Sequence, residues 1–534
     1  MTQRWPIVAA ALLLATGASA AERKPNVSPT FTATSETLDH VLTEATSAAG
    51  TLRAGVGSTY ETWSYKQGEV SGTESEFDAG KDYRFDRTYA KLHEAGGRYK
   101  GRSWHQGYSG FTVLESGVHQ RSVRNSEALV EASSGSAPGV TLLGESSSPE
   151  AYVVKVAPPG GRIEYRFYDK KTFLVVRRER SASDQLMVTT YDDFRTTDGV
   201  TRSWHFRSGD GRPYNDSEWT MTSLVASESV DEARLQVPPD ARNPVALPGE
   251  RVRLPAKIID DRIIVTAEMG GHKVNFQLDS GASGILLDRS VADALRIETF
   301  GKSTEATAGA YVANQAIIPL MVFNGIRVTN VEAETAPFQT WADANTPIAG
   351  LLGFDFIAGC VVAIDYENGT VDAIDAERFT PPANAIELPI RLDDDVPIIE
   401  ARVGEAKGEH FILDTGADRS MLFSDFVAAH PKDTKDQGLG DAMTASFPFV
   451  SHIFGVGGKI RFHPVQASSL GVASMSFPLW LFFASEQDGR SFEGEDFDGL
   501  LGQDLLRNFT VYLDYHHSKI YLTPNARYRL RWGG

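Results

Sequence analysis

The sequence predicts a mainly β protein, in which an N-terminal curved antiparallel β-sheet precedes one supersecondary unit that is used twice. Short runs of alternating polar and apolar residues fill the first half of the chain, and such runs are typical of half-buried strands. Forty-eight glycines favour turns and sheets over helical bundles. The second half contains an internal repeat, which is the strongest of the three observations.

Composition limits the classes of protein to which the chain can belong. Its 534 residues suit about three or four domains of roughly 150 residues, and 41% apolar residues suffice for sizeable cores. A formal charge of −18 argues against nucleic acid or an anionic membrane surface as a partner. The single cysteine, Cys360, cannot form an internal disulfide and is expected to be a small buried side chain.

Residues 1–20 have the pattern of a secretory signal peptide. Arg4 supplies the positive charge, residues 8–14 the apolar core and Ala18-Ser19-Ala20 the small-residue cleavage site, so that Ala21 begins the mature chain. No later apolar run is long enough to span a bilayer, so stable membrane insertion is not expected. The expected location is periplasmic or secreted.

Residues 21–250 are predicted to form a β-rich N-terminal domain. We expect a short helix over residues 37–48 and a Ser/Gly/Pro-rich loop over residues 133–148. The clearest strands and hairpin turns are the following: strands over 81–86, 152–156 and 162–168, and turns over 169–172 and 197–199. This order of strands and turns resembles the curved sheets of bacterial lipoprotein-carrier-like domains. The likeness carries no catalytic motif.

Proline-rich segments separate the domains. One lies over residues 244–255 and places a boundary near residue 250, and another lies over residues 379–384. The predicted divisions after the signal peptide are therefore 21–250, 251–380 and 381–534.

The repeat has three matched landmarks in the same order. Asp279-Ser280-Gly281 and Asp414-Thr415-Gly416 each follow an apolar, strand-like run and lie 135 residues apart. Each is followed by Gly-Leu-Leu-Gly, at 350–353 and 499–502, and then by an aliphatic residue, Asp and Tyr. Three landmarks in order indicate one unit used twice, the second copy about fourteen residues longer.

These paired motifs resemble those of retropepsin-like and pepsin-like aspartic proteases, above all the bacterial retropepsin-like ones. The resemblance covers residues 255–525 and implies a two-lobed aspartic-protease β-barrel pair, with lobe one over 251–380 and lobe two over 381–534. It implies an aspartic endopeptidase with a peptide or protein substrate, in which Asp279 and Asp414 are the catalytic pair.

The chemistry explains why two carboxyl groups are needed. Two acids a few ångströms apart share one proton, because both cannot stay ionised, so one activates water while the other donates a proton. The pair titrates as a unit, and the sequence does not assign the acid to Asp279 or to Asp414.

The resemblance also assigns supporting roles around the pair. The Ser280 and Thr415 hydroxyls are expected to bond across to the facing loop, and Gly281 and Gly416 to let backbone approach the carboxyl groups. The Leu-Leu-Gly runs at 351–353 and 500–502 are expected to hold the loops from behind. Candidate flaps, each equally well explained as an ordinary surface hairpin, lie at 307–311, which includes Tyr311, and at 454–458.

Other acids are given structural roles. Asp365 and Asp514 are expected in hairpin turns, and Asp355 and Asp504 as caps of short helices over 356–358 and 505–507. The run at residues 393–395 is expected to be a solvated turn. No histidine has zinc-site spacing, and neither a metal nor a cofactor is predicted.

Three alternatives remain open. Each copy could pair with a copy from a second chain, although the 135-residue offset favours a monomer with intrachain pairing of the lobes. The lobes could be degenerate scaffolds in a non-catalytic periplasmic binding or carrier protein. The N-terminal domain could cover the cleft as a regulator.

Overall fold

The computed structural model describes residues 29–50, 57–115, 118–135, 137–182, 185–306, 310–338, 340–343, 345–434, 452–455, 458–485 and 497–532. The predicted signal peptide over residues 1–20 lies outside these ranges. Within them strands far outnumber helices, so the mainly β prediction is confirmed. None of the helices in the described ranges is long and apolar enough to cross a membrane.

Thirteen strands and three helices form the N-terminal part. The strands are β1 Ser58–Gln67, β2 Val70–Ala79, β3 Asp82–Tyr89, β4 Leu92–Tyr99, β5 Arg102–Gln106, β6 Thr112–Glu115, β7 Val140–Ser147, β8 Glu150–Val156, β9 Glu164–Asp169, β10 Val175–Ala182, β11 Gln185–Thr197, β12 Val200–Gly209 and β13 Ser217–Ser227. The helices are α1 Leu38–Ala49, α2 Val118–Ser133 and α3 Glu232–Leu235.

These thirteen strands form one antiparallel sheet, the N-terminal sheet. Its order is β6-β5-β4-β3-β2-β1-β13-β12-β11-β10-β9-β8-β7. Helices α1 and α2 pack on its β7–β9 end through an apolar cluster that includes Val41, Leu129 and Val154. The Thr37 side chain accepts a hydrogen bond from the His40 amide and caps α1, which agrees with the helix predicted over 37–48.

The loop predicted over residues 133–148 is wrong. Its first residue ends α2, and most of the remainder is β7, which pairs with β8. Serine and glycine disfavour strands only weakly, whereas the ladder to β8 satisfies the backbone and buries Val140 in the cluster under α1.

The first copy of the repeat contributes β14 to β27. The strands are β14 Val245–Ala246, β15 Arg251–Arg253, β16 Ala256–Ile259, β17 Arg262–Met269, β18 His272–Leu278, β19 Ile285–Asp288, β20 Thr299–Ala306, β21 Ala310–Phe323, β22 Ile326–Ala336, β23 Thr340–Asp343, β24 Thr346–Ile348, β25 Gly350–Leu352, β26 Val361–Asp365 and β27 Thr370–Ile374. Its helices are α4 Arg289–Ala294 and α5 Phe354–Ile357. A 3-10 helix, Ala376–Arg378, precedes the segment that joins the copies.

The second copy contributes β28 to β38. The strands are β28 Ile386–Pro389, β29 Arg391–Asp393, β30 Val396–Val403, β31 Ala406–Leu413, β32 Met421–Leu422, β33 His452–Gly455, β34 Gly458–Val472, β35 Met475–Ser485, β36 Gly499–Leu501, β37 Phe509–Asp514 and β38 Lys519–Pro524. Its helices are α6 Ser424–Ala429, α7 Gln503–Leu506 and α8 Ala526–Trp532.

The two copies have the same strand pairing around the repeated motifs. In lobe one, β25 runs parallel to β18 and antiparallel to β19, and β19 runs parallel to β22. In lobe two, β36 has these relations to β31 and β32, and β32 runs parallel to β35. Each Asp-hydroxyl-Gly motif therefore begins where an inner strand, β18 or β31, ends.

Two sheets join the parts of the chain. A six-stranded sheet of order β15-β27-β26-β37-β38-β28 takes strands from both copies, with β26 antiparallel to β37. The N-terminal sheet continues into lobe two, because Glu115 of β6 pairs with Leu392 of β29. Strand β14, which precedes residue 250, pairs with β22 of lobe one.

Two apolar clusters surround the repeated motifs. A large cluster fills both lobes and the six-stranded sheet. A smaller one, the interlobe cluster, takes buried residues about equally from the two lobes: Ile264, Ala282, Leu286, Ala336, Phe338, Ile348 and Leu351 from lobe one, and Val396, Ile398, Ile412, Met421, Phe423, Phe462 and Leu500 from lobe two. Both repeated motifs lie beside the interlobe cluster, since its member Ala282 directly follows the first motif and Ala417, which packs against it, directly follows the second.

Candidate active site

The two Asp-hydroxyl-Gly motifs are fixed from behind by the Gly-Leu-Leu strands. The Asp279 amide donates to the Leu352 carbonyl over 3.1 Å, and the Asp414 amide donates to the Leu501 carbonyl over 2.9 Å. These bonds continue the parallel ladders of β18 with β25 and of β31 with β36. The chain therefore holds each acid at the end of a buried strand.

Ser280 and Thr415 join the two motifs by four hydrogen bonds. The Ser280 amide donates to Thr415 Oγ1 and the Thr415 amide donates to Ser280 Oγ, each over 2.9 Å. The Ser280 hydroxyl donates to the Leu413 carbonyl over 2.7 Å, and that of Thr415 to the Leu278 carbonyl over 3.1 Å. All four bonds are buried, so they fix one lobe against the other within a single chain.

Gly281 and Gly416 allow close approach of the two loops. A Cβ atom on Gly281 would lie 2.7 Å from the Cγ atom of Asp414, and one on Gly416 would lie even closer to that of Asp279. Each acid therefore lies against the glycine of the opposite lobe, where no side chain fits. Each glycine amide also donates to the acid of its own motif, over 2.9 Å for Gly281 and 2.6 Å for Gly416.

The carboxyl groups of Asp279 and Asp414 hydrogen-bond to each other and are almost fully buried, with 2% and 4% of each residue exposed. Burial raises the pKa of Asp279 well above its ordinary value, and the neighbouring Asp414 raises it further. Burial also raises the pKa of Asp414, whereas the Gly416 amide and the hydrogen bond from Asp279 lower it. The pair therefore retains a proton to a higher pH than a solvated carboxyl group does.

Two glutamines and a tyrosine complete the surroundings and were not predicted from the sequence. Gln277 Nε2 donates to the Gly416 carbonyl over 2.8 Å, and Gln503 Nε2 donates to that of Thr415 over 2.5 Å. The Tyr515 hydroxyl lies 3.5 Å from the Ser280 carbonyl oxygen. These contacts span 88 to 235 residues of sequence, and only the repeated Tyr of the third landmark gave any signal.

The helix-cap roles predicted for Asp355 and Asp504 are wrong. Gly353 and Gly502 occupy the N-cap positions, and both acids lie inside the first turns of α5 and α7. Asp504 instead accepts hydrogen bonds from the amide and hydroxyl of Ser420, over 2.9 and 2.7 Å. Asp504 also accepts a hydrogen bond from the Leu505 amide over 3.1 Å, so it satisfies one first-turn amide from inside the helix rather than from the N-cap position.

Asp355 faces the N-terminal sheet. Burial raises the pKa of Asp355 to about 7; Asp395 raises it further, and the neighbouring Ser109 hydroxyl lowers it. This acid therefore differs from Asp504, its counterpart in lobe two, whose partner Ser420 lies in its own lobe.

The acidic run at residues 393–395 does form a turn, between β29 and β30, but the expectation that it is solvated is wrong. Asp393 is buried, and Asp395 Oδ1 lies 2.7 Å from His105 Nε2. The other ring nitrogen, Nδ1, lies 2.7 Å from Glu115 Oε1. The parallel pairing of β6 with β29 brings this turn against the N-terminal sheet, a contact that no local pattern indicates.

The remaining predicted residues lie as follows. Asp365 accepts hydrogen bonds from the Glu367 and Asn368 amides, and Asp514 from that of His517, so both lie in hairpin turns. The candidate flaps are β-hairpins, β20–β21 and β33–β34, whose tips at 307–309 and 456–457 lie outside the described residues. Cys360 is buried, and burial raises the pKa of its thiol to about 12.

The comparisons with known proteins agree with one part of this description. A family model described as aspartyl protease matches residues 265–356, which include Asp279 and the first Gly-Leu-Leu-Gly run. This segment is therefore aspartyl protease-like at the level of the family. No curated protein matches the chain.

Several solved structures are similar over part of the chain. An aspartic proteinase from Irpex lacteus is 13% identical, with 52% of this chain and 98% of that chain covered and a TM-score of 0.31. Basic 7S globulin from soybean is 9% identical, with 53% and 96% covered and a TM-score of 0.32. A LolA superfamily protein from Nitrosomonas europaea is 12% identical, with 38% and 98% covered and a TM-score of 0.29.

Proposed function

We propose that the chain is an exported aspartic endopeptidase that hydrolyses peptide bonds with water activated by Asp279 and Asp414. One observation carries the proposal. Two buried carboxyl groups, one from each copy of the repeat, hydrogen-bond to each other. Each lies against the glycine of the opposite motif, where a Cβ atom would not fit. A pair of acids with raised pKa values, so placed, has the properties that acid–base hydrolysis needs.

The reaction follows from one shared proton. The ionised carboxyl group takes a proton from water as the oxygen attacks the peptide carbonyl carbon, and the protonated one donates its proton to the carbonyl oxygen. The resulting tetrahedral gem-diol then breaks its C–N bond, while a proton passes to the leaving nitrogen. Positioned acid–base groups contribute typically about 10²–10⁴-fold to such a rate. Asp279 and Asp414 exchange roles during the cycle, so neither is assigned one fixed role.

The two lobes also supply the binding surface in this proposal. An extended peptide would lie across the two motifs, between hairpins β20–β21 and β33–β34. The interlobe cluster lies beneath it and takes side chains from both lobes, which suits apolar side chains of a substrate.

The test uses Asp279→Asn and Asp414→Asn, because asparagine keeps the shape and cannot take up or release the proton. Each variant is expected to lower the rate of hydrolysis of a mixed peptide substrate by at least about 100-fold. Asp365→Asn is the matched control, since it removes a repeated acid from an exposed hairpin turn of the same lobe.

Near wild-type hydrolysis by either variant would exclude the shared pair. It would favour the alternative of a non-catalytic binding or carrier protein. Thermal unfolding of each variant, compared with the wild type, separates lost chemistry from lost folding.

We also propose that the active species is a monomer and that Ala21 begins the mature, periplasmic or secreted chain. The four hydrogen bonds between Ser280, Thr415 and their partners join the lobes of one chain, which supports intrachain pairing over pairing between two chains. The native mass of the hydrolysing fraction distinguishes these arrangements, and N-terminal sequencing of the exported protein tests the cleavage site.

A further inference from the structure

The strand register identifies equivalent positions in the two lobes. Glu334 on β22 pairs with Leu286 on the neighbouring strand β19 and with Gln315 on the other neighbouring strand, β21. In lobe two, Phe483 on β35 has the same relation to Met421 and Pro464. Leu286 and Met421 follow the two catalytic-type motifs at the same spacing. Glu334 and Phe483 are therefore equivalent.

The equivalence extends into the two hairpins. Glu305 on β20 pairs with Tyr311 on β21, and the corresponding pair of β33 and β34 is Ile453 with Ile460. Paired residues lie on the same face of a sheet, so Glu305, Tyr311, Gln315 and Glu334 share one face of lobe one. We call these four residues the acidic wall. At the same four positions lobe two has Ile453, Ile460, Pro464 and Phe483.

The acidic wall lies beside the interlobe cluster. Leu286, the strand neighbour of Glu334, is a buried member of that cluster, and Tyr311 packs against it. The cluster contains Ala282, next to the motif of Asp279, and Phe462 of the opposite lobe. A side chain bound against the acidic wall would therefore extend from a peptide that passes over Asp279 and Asp414.

The position of Glu334 lowers the stability of the fold. It is 2% exposed, and neither of its carboxyl oxygens has a hydrogen-bond partner among the described residues. An unsatisfied buried carboxyl group opposes folding, because the group loses its hydrogen bonds to water and gains none in return. Phe483 at the equivalent position shows that the strand pairing does not require an acid there.

The charges around Glu334 are mostly acidic. Glu305 and Glu332 lie close enough to raise the pKa of Glu334 further, after burial itself. Glu332 in turn faces Asp355, Glu94 and Asp395. Burial raises the pKa of Glu305, whereas the Ser303 hydroxyl and the positive charge of Arg212, in the loop between β12 and β13, lower it. The wall therefore has the electrostatic character of a site for a cationic side chain.

We propose that the acidic wall binds a basic side chain of the substrate, with Glu334 as the residue that determines this specificity. The inference rests on the proposed function, since it names the substrate class of the same cleft. A lysine or arginine would supply the donors that both Glu334 oxygens lack among the residues that the structure describes. Such charge-assisted hydrogen bonds are stronger than neutral ones.

The experiment measures cleavage of a peptide library by the full mature chain. The library varies lysine, arginine, methionine and leucine at each position near the scissile bond. The wild type is expected to prefer a basic residue at one position by at least about tenfold, as hydrogen bonds to charged groups suggest. Glu334→Gln is expected to reduce that preference to less than about threefold and to leave cleavage of peptides with methionine at that position unchanged.

Glu377→Gln is the matched control, because it removes one charge from an exposed residue outside the cleft. Glu305→Gln is a second test variant that avoids the buried position, and it is also expected to lower the preference. Equal melting temperatures of the variants establish that folding is retained.

A second measurement does not depend on catalysis. Binding of fluorescent lysine and methionine peptides to Asp279→Asn and to Asp279→Asn/Glu334→Gln is followed by anisotropy. Cleavage without a basic preference overturns the inference and leaves the proposed function in place. Binding that depends on lysine and Glu334, without cleavage by the wild type, supports the inference and overturns the proposed function. If neither cleavage nor binding prefers a basic residue, the inference is overturned.

Discussion

Ser280 and Thr415 are the residues on which the geometry of the acid pair depends most directly. Each hydroxyl both accepts a hydrogen bond from the opposite motif's amide and donates one to a carbonyl that precedes an acid. Because these groups are buried, removal of one hydroxyl leaves an amide and a carbonyl without partners. The cross-link therefore couples the stability of the lobe interface to the position of both carboxyl groups.

Thr415→Val removes the hydroxyl and keeps the branched shape. We expect it to lower the free energy of unfolding by about 1–3 kcal/mol and to slow hydrolysis, because Asp279 and Asp414 lose their fixed separation. Urea unfolding and initial rates measure the two effects. Thr196→Val, at an exposed threonine of β11, is the control. A change no larger than that of the control would show that the cross-link contributes nothing.

At this scale the sequence could predict the acids but not their neighbours. Asp279, Asp414, Ser280 and Thr415 were predicted because a repeat makes two weak motifs one strong one. The sequence around Gln277 predicts only a strand, and that around Gln503 only a helix. Their side-chain amides donate hydrogen bonds to carbonyls of residues far away in the sequence. A single long-range hydrogen bond leaves no periodic pattern in the sequence, so it could not be predicted.

At the scale of elements, the turn at residues 393–395 and helix α5 carry acids into the interface with the N-terminal sheet. Asp355, Asp395 and Glu332 interact there, and burial raises the pKa of Asp355 to about 7 and that of Glu332 to about 8. Local patterns predicted a solvated turn and a helix cap because acids favour both. Tertiary packing instead buries these acids. It likewise makes β7 a strand paired with β8, where the sequence predicted a loop.

This interface predicts a pH dependence of stability with a definite sign. The folded state holds the Asp355 proton up to about pH 7, whereas the unfolded chain releases it near the ordinary value of about 4. The folded state therefore binds more protons in this range, and this contribution to stability is complete below about pH 4 and lost as the pH rises to about 7.

Asp355→Asn removes that titration. We expect the variant to lose less stability than the wild type between about pH 4 and 7, by an amount on the order of a few kcal/mol. Urea midpoints at several pH values measure the difference, with Asp293→Asn, an exposed acid of α4, as the control. Parallel pH profiles of wild type and Asp355→Asn would contradict it.

At the scale of the whole molecule, the N-terminal sheet contacts both lobes. It extends into lobe two through β6 and β29. The loop between its strands β12 and β13 contacts β20 of lobe one, because Asn215 Nδ2 donates to the Thr304 carbonyl over 2.9 Å and the Thr304 amide donates to Asn215 Oδ1 over 2.7 Å. This contact lies one residue from Glu305 of the acidic wall. The sequence predicted three separate units and left open that the N-terminal domain covers the cleft, but no local pattern indicated which residues form this contact.

Among the described strands, β20 pairs with β21 alone, and the two hydrogen bonds with Asn215 satisfy backbone groups on its other edge. Asn215→Ala would leave both Thr304 backbone groups without this partner, so we expect faster amide hydrogen exchange in β20 and β21 and unchanged exchange in β37 and β38. Exchange measured by mass spectrometry tests this, with Asn368→Ala, at an exposed hairpin turn, as the control. If β20 and β21 exchange at the wild-type rate, the N-terminal sheet does not hold the hairpin. If they exchange faster while peptide cleavage also changes, the sheet acts on the hairpin that borders the cleft, as expected for a regulatory domain.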